Sequence, residues 1–205
     1  MKSNNQGLFI SFEGPEASGK STQIKLLQKF FKNKNIPFIV TREPGGTPIS
    51  EKLRKIILDK KILISTTEEI LLLMSSRLNH INRVIKPSLR KGKIVITDRF
   101  ADSTFVYQGF VNNYGIKETK SLHKIFLDNF LPQKTFLFLL SPKQINKRLQ
   151  NRKISNKYDK TNPSFHAKVI KGYKKLSNNN KRFCIIKSDN SIKYIHDKIV
   201  KELNI

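Results

Sequence analysis

Short apolar runs punctuate the chain, separated by stretches in which apolar residues recur at helical spacing. Leu8-Phe9-Ile10-Ser11-Phe12 is apolar and β-prone, as a buried strand requires. From Ser21 onward, Ile24, Leu26, Leu27, Phe30 and Phe31 recur with the period of an amphipathic helix. Pro37-Phe38-Ile39-Val40-Thr41 predicts a second strand, and Arg42-Glu43-Pro44-Gly45-Gly46-Thr47 a loop punctuated by Pro and two glycines. Thr47-Pro48 reads as N-cap and first helical position, with Leu53, Ile56 and Ile57 as that helix's apolar stripe. Thr67 is expected to cap a long helix, with Glu68 and Glu69 in its first turn. Ile70-Leu71-Leu72-Leu73-Met74 is apolar nearly all round, which predicts passage through the interior. Arg77 and His80 share one face of the same helix. It continues through Ile81, Val84 and Ile85, bends near Pro87 and ends at Gly92.

Ile94-Val95-Ile96-Thr97 predicts a core strand ending in Asp98-Arg99. Helices are expected from Ser103 to Gly109 and from Lys117 to Phe130, the second broken by Pro132. Thr135 to Leu140 is another continuous apolar run, typical of a parallel buried strand. Ser141-Pro142 then caps a helix through Ile145 and Leu149. Residues 152–162 are polar and basic and read as a mobile lid. Pro163 opens a helix through Val169, Tyr173 and Leu176. Ser177 to Asn180 is a turn, Phe183 to Ile186 a strand, and Ile192 to Leu203 a closing helix. Strands alternating with helices predict an α/β fold: a parallel sheet flanked by helices on both faces, joined by right-handed crossovers. With no repeat and no dividing linker, residues 1–205 are expected to form one domain.

Composition adjusts this picture in three ways. No apolar run approaches the roughly 20 residues of a membrane span, and Met1 to Gln6 lacks the apolar region of a signal peptide. Cys184 is the only cysteine, which excludes an internal disulfide; in a strand-like setting it reads as a buried, inert thiol. These features point to the cytoplasm. The formal net charge is +25, but the lysines are scattered among Asn and Ile along the whole chain, with no nucleic-acid-binding motif beside them. A nucleic-acid partner is therefore not expected, whereas attraction of anionic substrates is.

The candidate chemistry centres on Gly14-Pro15-Glu16-Ala17-Ser18-Gly19-Lys20-Ser21. It fits the phosphate-loop pattern G-x-x-x-x-G-K-[ST] and lies between the strand and helix that pattern requires. Glycines let the backbone turn its N–H groups inward around an anion, and the following helix adds its positive end. Lys20 would reach the outer phosphates of a nucleoside triphosphate, and Ser21 would ligate Mg²⁺. Ligands of such folds bind at the carboxyl ends of the strands, which brings Arg42, Asp98 and Arg99 beside the loop. Asp98 suits a Mg²⁺-positioning acid, and Arg99 suits a second phosphate held bidentately. The helix after the fourth strand adds Arg148 and Arg152. Arg77, next to an apolar segment, needs a partner: an ordinary buried pair or a nucleobase.

Together these motifs resemble the bacterial thymidylate kinase family. The resemblance is carried by Phe12-Glu13-Gly14 through Thr22, Thr41 to Thr47, Glu51-Lys52-Leu53-Arg54, Arg77 with His80, and Ile85-Lys86-Pro87. It continues with Asp98-Arg99-Phe100, Asp102-Ser103, Tyr107-Gln108-Gly109 and Phe165 to Tyr173, so it spans nearly the whole chain. It implies a P-loop kinase fold of nucleoside monophosphate kinase type, transfer of the ATP γ-phosphoryl group to dTMP with Mg²⁺, and a homodimer. The resemblance further implies that residues 14–21 hold ATP, with Arg148 near the adenine. Arg42 and Arg99 would lie near the dTMP phosphate, and Arg77 at the thymine. Ser103, Tyr107 and Gln108 would line the nucleoside pocket, and Glu16 would stand near sugar and phosphate. Ala17 occupies the place where some members carry a catalytic arginine, so the implied catalytic residues are Lys20, Arg99 and the lid's Arg152, with Lys153 and Lys157 nearby.

Three features depart from the family pattern: Leu73 stands for a stacking phenylalanine, Asn156-Lys157-Tyr158-Asp159 for Asp-Arg-aromatic-Glu, softened at three positions, and Phe100 for Tyr or His. Two alternatives remain at this level. One is a kinase for another nucleotide or a deoxynucleoside. The other is a basic nucleic-acid-binding protein with a structural phosphate loop.

Overall fold

The computed structural model describes residues 7–150 and 163–205. Strands β1 (Phe9–Glu13), β2 (Phe38–Arg42), β3 (Ile94–Asp98), β4 (Lys134–Leu139) and β5 (Phe183–Lys187) form a parallel sheet in the order β2-β3-β1-β4-β5. The chain moves out from β1 to one edge, then returns across it to the other. The crevice at the carboxyl end of β1 is therefore the switch point where an open α/β sheet binds ligands. Register places Phe12 opposite Asp98, so Gly14 and Arg99 emerge side by side.

Helices follow in chain order: α1 (Lys20–Asn33), α2 (Pro48–Leu58), α3 (Thr66–His80), α4 (Lys86–Arg90), α5 (Ala101–Thr104), α6 (Ile116–Leu127), α7 (Pro142–Gln150), α8 (Pro163–Ser177) and α9 (Ile192–Leu203). Side chains alternate across each strand and divide the core in two. Ile10, Phe12, Ile96, Phe136 and Phe138 pack against Ile24, Leu27 and Phe31 of α1 and Ile195 and Ile199 of α9. Phe9, Val95 and Leu137 face the other way, onto Ile70 and Met74 of α3, Phe105, and Val169 and Tyr173 of α8. The helices on both faces agree with the sequence-based expectation.

Several boundaries differ from it. The α3 cap is Ser65 rather than Thr67: Ser65 accepts from the Glu68 N–H, and the Glu68 side chain accepts from the Ser65 N–H. Glu68 at the third helical position completes that reciprocal pair. Helix α3 is also not buried all round, since Leu71 and Leu78 are about half exposed while Ile70, Leu73 and Met74 are buried. Helix α6 stops at Leu127, before Pro132, because Asp128 and Asn129 take left-handed conformations. Cys184 is half-buried rather than buried; burial still pushes its thiol up, which keeps it protonated. Two helical passages widen into π-type turns. One, Ile81–Ile85, joins α3 to α4 just ahead of Pro87. The other, Phe105–Val111, carries Tyr107 and Gln108. Such widenings recur at functional sites.

Candidate functional site

The phosphate loop wraps around the end of β1. Gly14 has φ +133, and a Cβ there would come 2.2 Å from the Phe138 carbonyl oxygen, so only glycine fits. Gly19, at φ +96, is the N-cap of α1. Ala17 also lies at positive φ, +56, which is sterically unfavourable for a residue with a Cβ. Lys20 opens α1 and is buried, its Nζ donating to the carbonyl oxygens of Pro15 (2.9 Å) and Gly14 (3.2 Å). Burial, followed by the Arg99 charge, pushes its ammonium down to about 8. Arg148 reaches over from α7 and donates to the Ala17 oxygen (3.1 Å) and the Ser188 oxygen (3.0 Å), bracing the loop against the far side of the cleft. Residues 16–22 line a cavity of about 810 Å³ together with Arg42, Arg54 and Asp98.

A second cavity, of about 430 Å³, opens beside the first. Leu73, Arg77, Arg99, Ser103, Tyr107, Gln108 and Glu16 all line it. The two cavities share Glu16, Glu43, Pro44, Leu58 and Arg99 as a common wall. Arg42 stands on the phosphate-loop side, where its guanidinium pairs with Glu51 at 3.1 Å. Arg99 projects between the cavities. It donates to Glu16 at 2.5 Å, the Gly14 oxygen at 3.0 Å and Ser103 Oγ at 3.1 Å, with the Tyr107 ring 5.2 Å away.

Arg77 has a buried ion-pair partner. It is only 2% exposed, donates to Glu43 (2.7 Å) and Thr104 (2.9 Å), and lies over the Phe100 ring, yet it also lines the smaller cavity. Glu43 is held from the other side by His80, whose second ring nitrogen meets Thr41 at 2.7 Å. Burial alone would push the Glu43 carboxyl up. Arg77 and the His80 hydrogen bond outweigh it and hold the group below its ordinary value. A buried arginine is thus fixed by a buried carboxylate.

Sequence reasoning assigned no role to Glu13, Glu43, Arg54, Thr104 or Tyr173, although all but Thr104 fall within the segments that carry the resemblance. Their signal was weak: each is an ordinary polar residue, and apart from Arg54 each has partners far away in the chain. Arg54 donates to the Pro44 oxygen at 2.6 Å and so holds the loop after β2. Arg152, Lys153, Lys157 and the remainder of the expected lid lie outside the described residues.

A hard divalent cation takes oxygen ligands and keeps several of its waters when phosphates are present. Ser21 Oγ donates to Asp98 Oδ2 at 3.3 Å, so a hydroxyl and a carboxylate converge at the open end of the phosphate loop. That donor set fits Mg²⁺. No helix among the described residues is long and apolar enough to cross a membrane.

Comparison with known proteins agrees with this geometry. A sequence model of the family described as thymidylate kinase matches residues 12–199. The chain is 42% identical over 205 residues to the thymidylate kinase of Rickettsia canadensis (strain McKiel), covering 99% of this chain and 100% of that one. It is 38% identical over 197 residues to the thymidylate kinase of Caldanaerobacter subterraneus subsp. tengcongensis, covering 96% and 94%. By the span of these matches, and with the phosphate loop and the paired cavities in place, the chain belongs to the thymidylate kinase family.

Proposed function

We propose that the protein transfers the γ-phosphoryl group of ATP to dTMP, giving dTDP and ADP. The observation that carries this reading is the pair of cavities sharing Arg99 and Glu16: one has a phosphate-binding backbone, the other apolar walls with a few polar groups. Residues 14–21 hold the ATP phosphates, Lys20 neutralises their outer charge, and Arg148 lies towards the adenine. Ser21 and Asp98 hold Mg²⁺, which screens charge on the phosphates when bound. Arg99 holds the acceptor phosphate, with Arg42 nearby. Leu73 packs on the base, while Arg77, Gln108, Ser103 and Tyr107 read the nucleoside. An acceptor phosphate oxygen forms the new P–O bond as the bond to the β-phosphate breaks. Both substrates are anionic, so catalysis here is positioning and charge neutralisation.

Arg152 completes the charge screening from the lid. Arg152→Ala is expected to lower turnover by about 10³-fold, by analogy with arginine fingers; turnover within a few-fold of wild type rejects that role. Ile56, Leu71, Leu78, Ile125 and Phe126 leave apolar surface exposed on the neighbouring helices α2, α3 and α6. This supports a homodimer through that face, checked by light scattering of wild type and Leu71→Lys. The lone cysteine and nucleotide substrates suit a cytoplasmic enzyme. The decisive assay couples ADP release to several acceptors: dTMP, dUMP, other nucleoside monophosphates and thymidine. Absence of any preference for dTMP overturns the substrate assignment.

A further inference from the structure

Behind Arg99 lies a buried carboxylate to which the chemistry above gives no role. Glu13 ends β1, is fully buried, and accepts hydrogen bonds from three donors. Its Oε1 accepts from the Phe100 N–H at 2.7 Å, and its Oε2 from Ser103 Oγ at 2.6 Å and the Tyr173 hydroxyl at 2.8 Å.

Each donor is tied to Arg99. The Phe100 amide directly follows Arg99, whose φ of +70 is the left-handed region that residues with a Cβ avoid. That turn is pinned at three points: Arg99 N–H to the Phe12 oxygen, Thr97 Oγ1 to the Arg99 oxygen, and Phe100 N–H to Glu13. The side chain is tied as well. Arg99 Nη1 meets Ser103 Oγ at 3.1 Å and the Tyr173 oxygen at 3.4 Å. A guanidinium only donates, so both hydroxyls must turn lone pairs towards it. An ionised Glu13 enforces this, because each hydroxyl proton then points at its carboxylate. A neutral side chain at this position would let a hydroxyl proton turn towards Arg99, donor against donor.

We propose that Glu13 is a positioning residue for the acceptor phosphate: it holds the backbone turn at Arg99 and aims the Ser103 and Tyr173 lone pairs at the guanidinium. The inference rests on the reading that Arg99 holds that phosphate. The groups that bear on Glu13 come from every neighbouring element. They are Asp102 from α5, Arg99 after β3, Tyr107 from the π-type turn, Tyr173 from α8, Lys20 from α1 and Arg182 before β5. Burial and Asp102 push the Glu13 carboxyl up to about 7, while Arg99 and the two hydroxyl donors pull the other way. The positioning device therefore loses its charge as the solution becomes mildly acidic.

The test compares steady-state kinetics of the full-length wild type, Glu13→Gln and Tyr173→Phe. Glu13→Gln preserves shape and is expected to lower kcat/KM for dTMP by about 100-fold, the scale of a small misplacement of a substrate-holding group. KM for ATP should stay near wild type. Tyr173→Phe removes one hydroxyl and is expected to lower kcat/KM for dTMP about tenfold; the double variant should resemble Glu13→Gln alone. The wild-type pH profile of kcat/KM for dTMP should show an acidic limb near pH 7, beyond that of the substrate phosphate at about 6. Glu13→Gln should lose the limb near 7. Thermal unfolding monitors the fold, and if Glu13→Gln does not fold, Tyr173→Phe carries the test.

Equal losses for ATP and dTMP, or an unshifted pH profile, overturn the proposal. A wild type that phosphorylates dTMP alongside variants that match it also overturns the inference, and leaves the functional reading standing. A wild type that phosphorylates no nucleoside monophosphate overturns both.

Discussion

The phosphate-loop cradle and the pocket beside it share a wall but are built differently. The cradle is one run of chain, Gly14 to Ser21, shaped by its own positive-φ positions and by Lys20 donating to its own carbonyl oxygens, with Asp98, Arg99 and Arg148 reaching it from outside. The pocket draws Glu43 from the end of β2, Leu73 and Arg77 from α3, Arg99 from the end of β3, and Tyr107 from the π-type turn. Arg77 and Glu43 are fixed by partners 27 to 37 residues away, through the Arg77–Glu43, Arg77–Thr104 and His80–Glu43 contacts, and Arg99 by Glu16, 83 residues away. The cradle is therefore robust to changes in packing but intolerant of changes in its own residues. The pocket is part of the core, so damage to it reaches both stability and specificity.

The largest effect separates the two regions outright. Lys20→Met should lower turnover by about 10³-fold or more, while its unfolding midpoint stays at or above wild type, because a buried ammonium has been replaced by an apolar chain. Activity assays and thermal unfolding on the same preparation check this. A large fall in stability would show that the cradle is as much a part of the core as the pocket. Glu43→Gln is the counterpart on the other side. It leaves Arg77 buried without its anion and should remove about 4 kcal/mol of stability, measured by urea unfolding, while raising KM for dTMP. An undiminished unfolding midpoint would mean that the Arg77 network does not support the core.

The third test uses pH. His123 packs edge-on against Phe100 and Phe105, the first of which lines the smaller cavity, and its Nε2–H donates to the Phe130 oxygen at 2.9 Å, while its Nδ1 has no partner. Burial, with Arg77 adding to it, pushes this imidazole down to about 4. An unfolded histidine titrates near 6.5. Between those values the unfolded chain binds more protons, so this group's contribution to stability falls as pH drops from about 6.5 to about 4 and then levels off. The total is about 3 kcal/mol. Glu13 acts in the opposite direction, its raised carboxyl favouring the fold at low pH, so the difference between wild type and His123→Gln isolates the histidine. Parallel stability curves for the two proteins would reject it. The smallest test concerns the base: Leu73→Phe should restore ring stacking worth about 1 kcal/mol, seen as a KM for dTMP about fivefold lower. An unchanged KM would mean the base does not lie on that face.

The phosphate loop was legible because its chemistry is local: a strand, glycines at fixed spacing, a lysine and a hydroxyl at the start of a helix. The Thr47 cap with Pro48 was legible for the same reason, and Thr47 does accept from the Ser50 N–H. The cap of α3 was misplaced from Ser65 to Thr67 because both residues suit a cap, and only Ser65 has Glu68 at the right offset. The end of α6 was misjudged because Asp128 and Asn129, not proline, supply the left-handed stop. Glu13 could not be picked out. Its importance lies in three donors, two of them 90 and 160 residues away.

From sequence the alternation of strands and helices, the parallel sheet, the phosphate loop between strand and helix and the strand-end placement of Asp98 and Arg99 all follow, because each depends on neighbours along the chain. Tertiary structure alone decided that Arg77 pairs with Glu43 while lining the pocket, that Arg42 turns to Glu51, and that Arg99 stands in a strained turn held by Glu13. The physical reason is that a buried charge takes whichever partner folding brings within hydrogen-bond reach, and sequence distance says nothing about which one that will be.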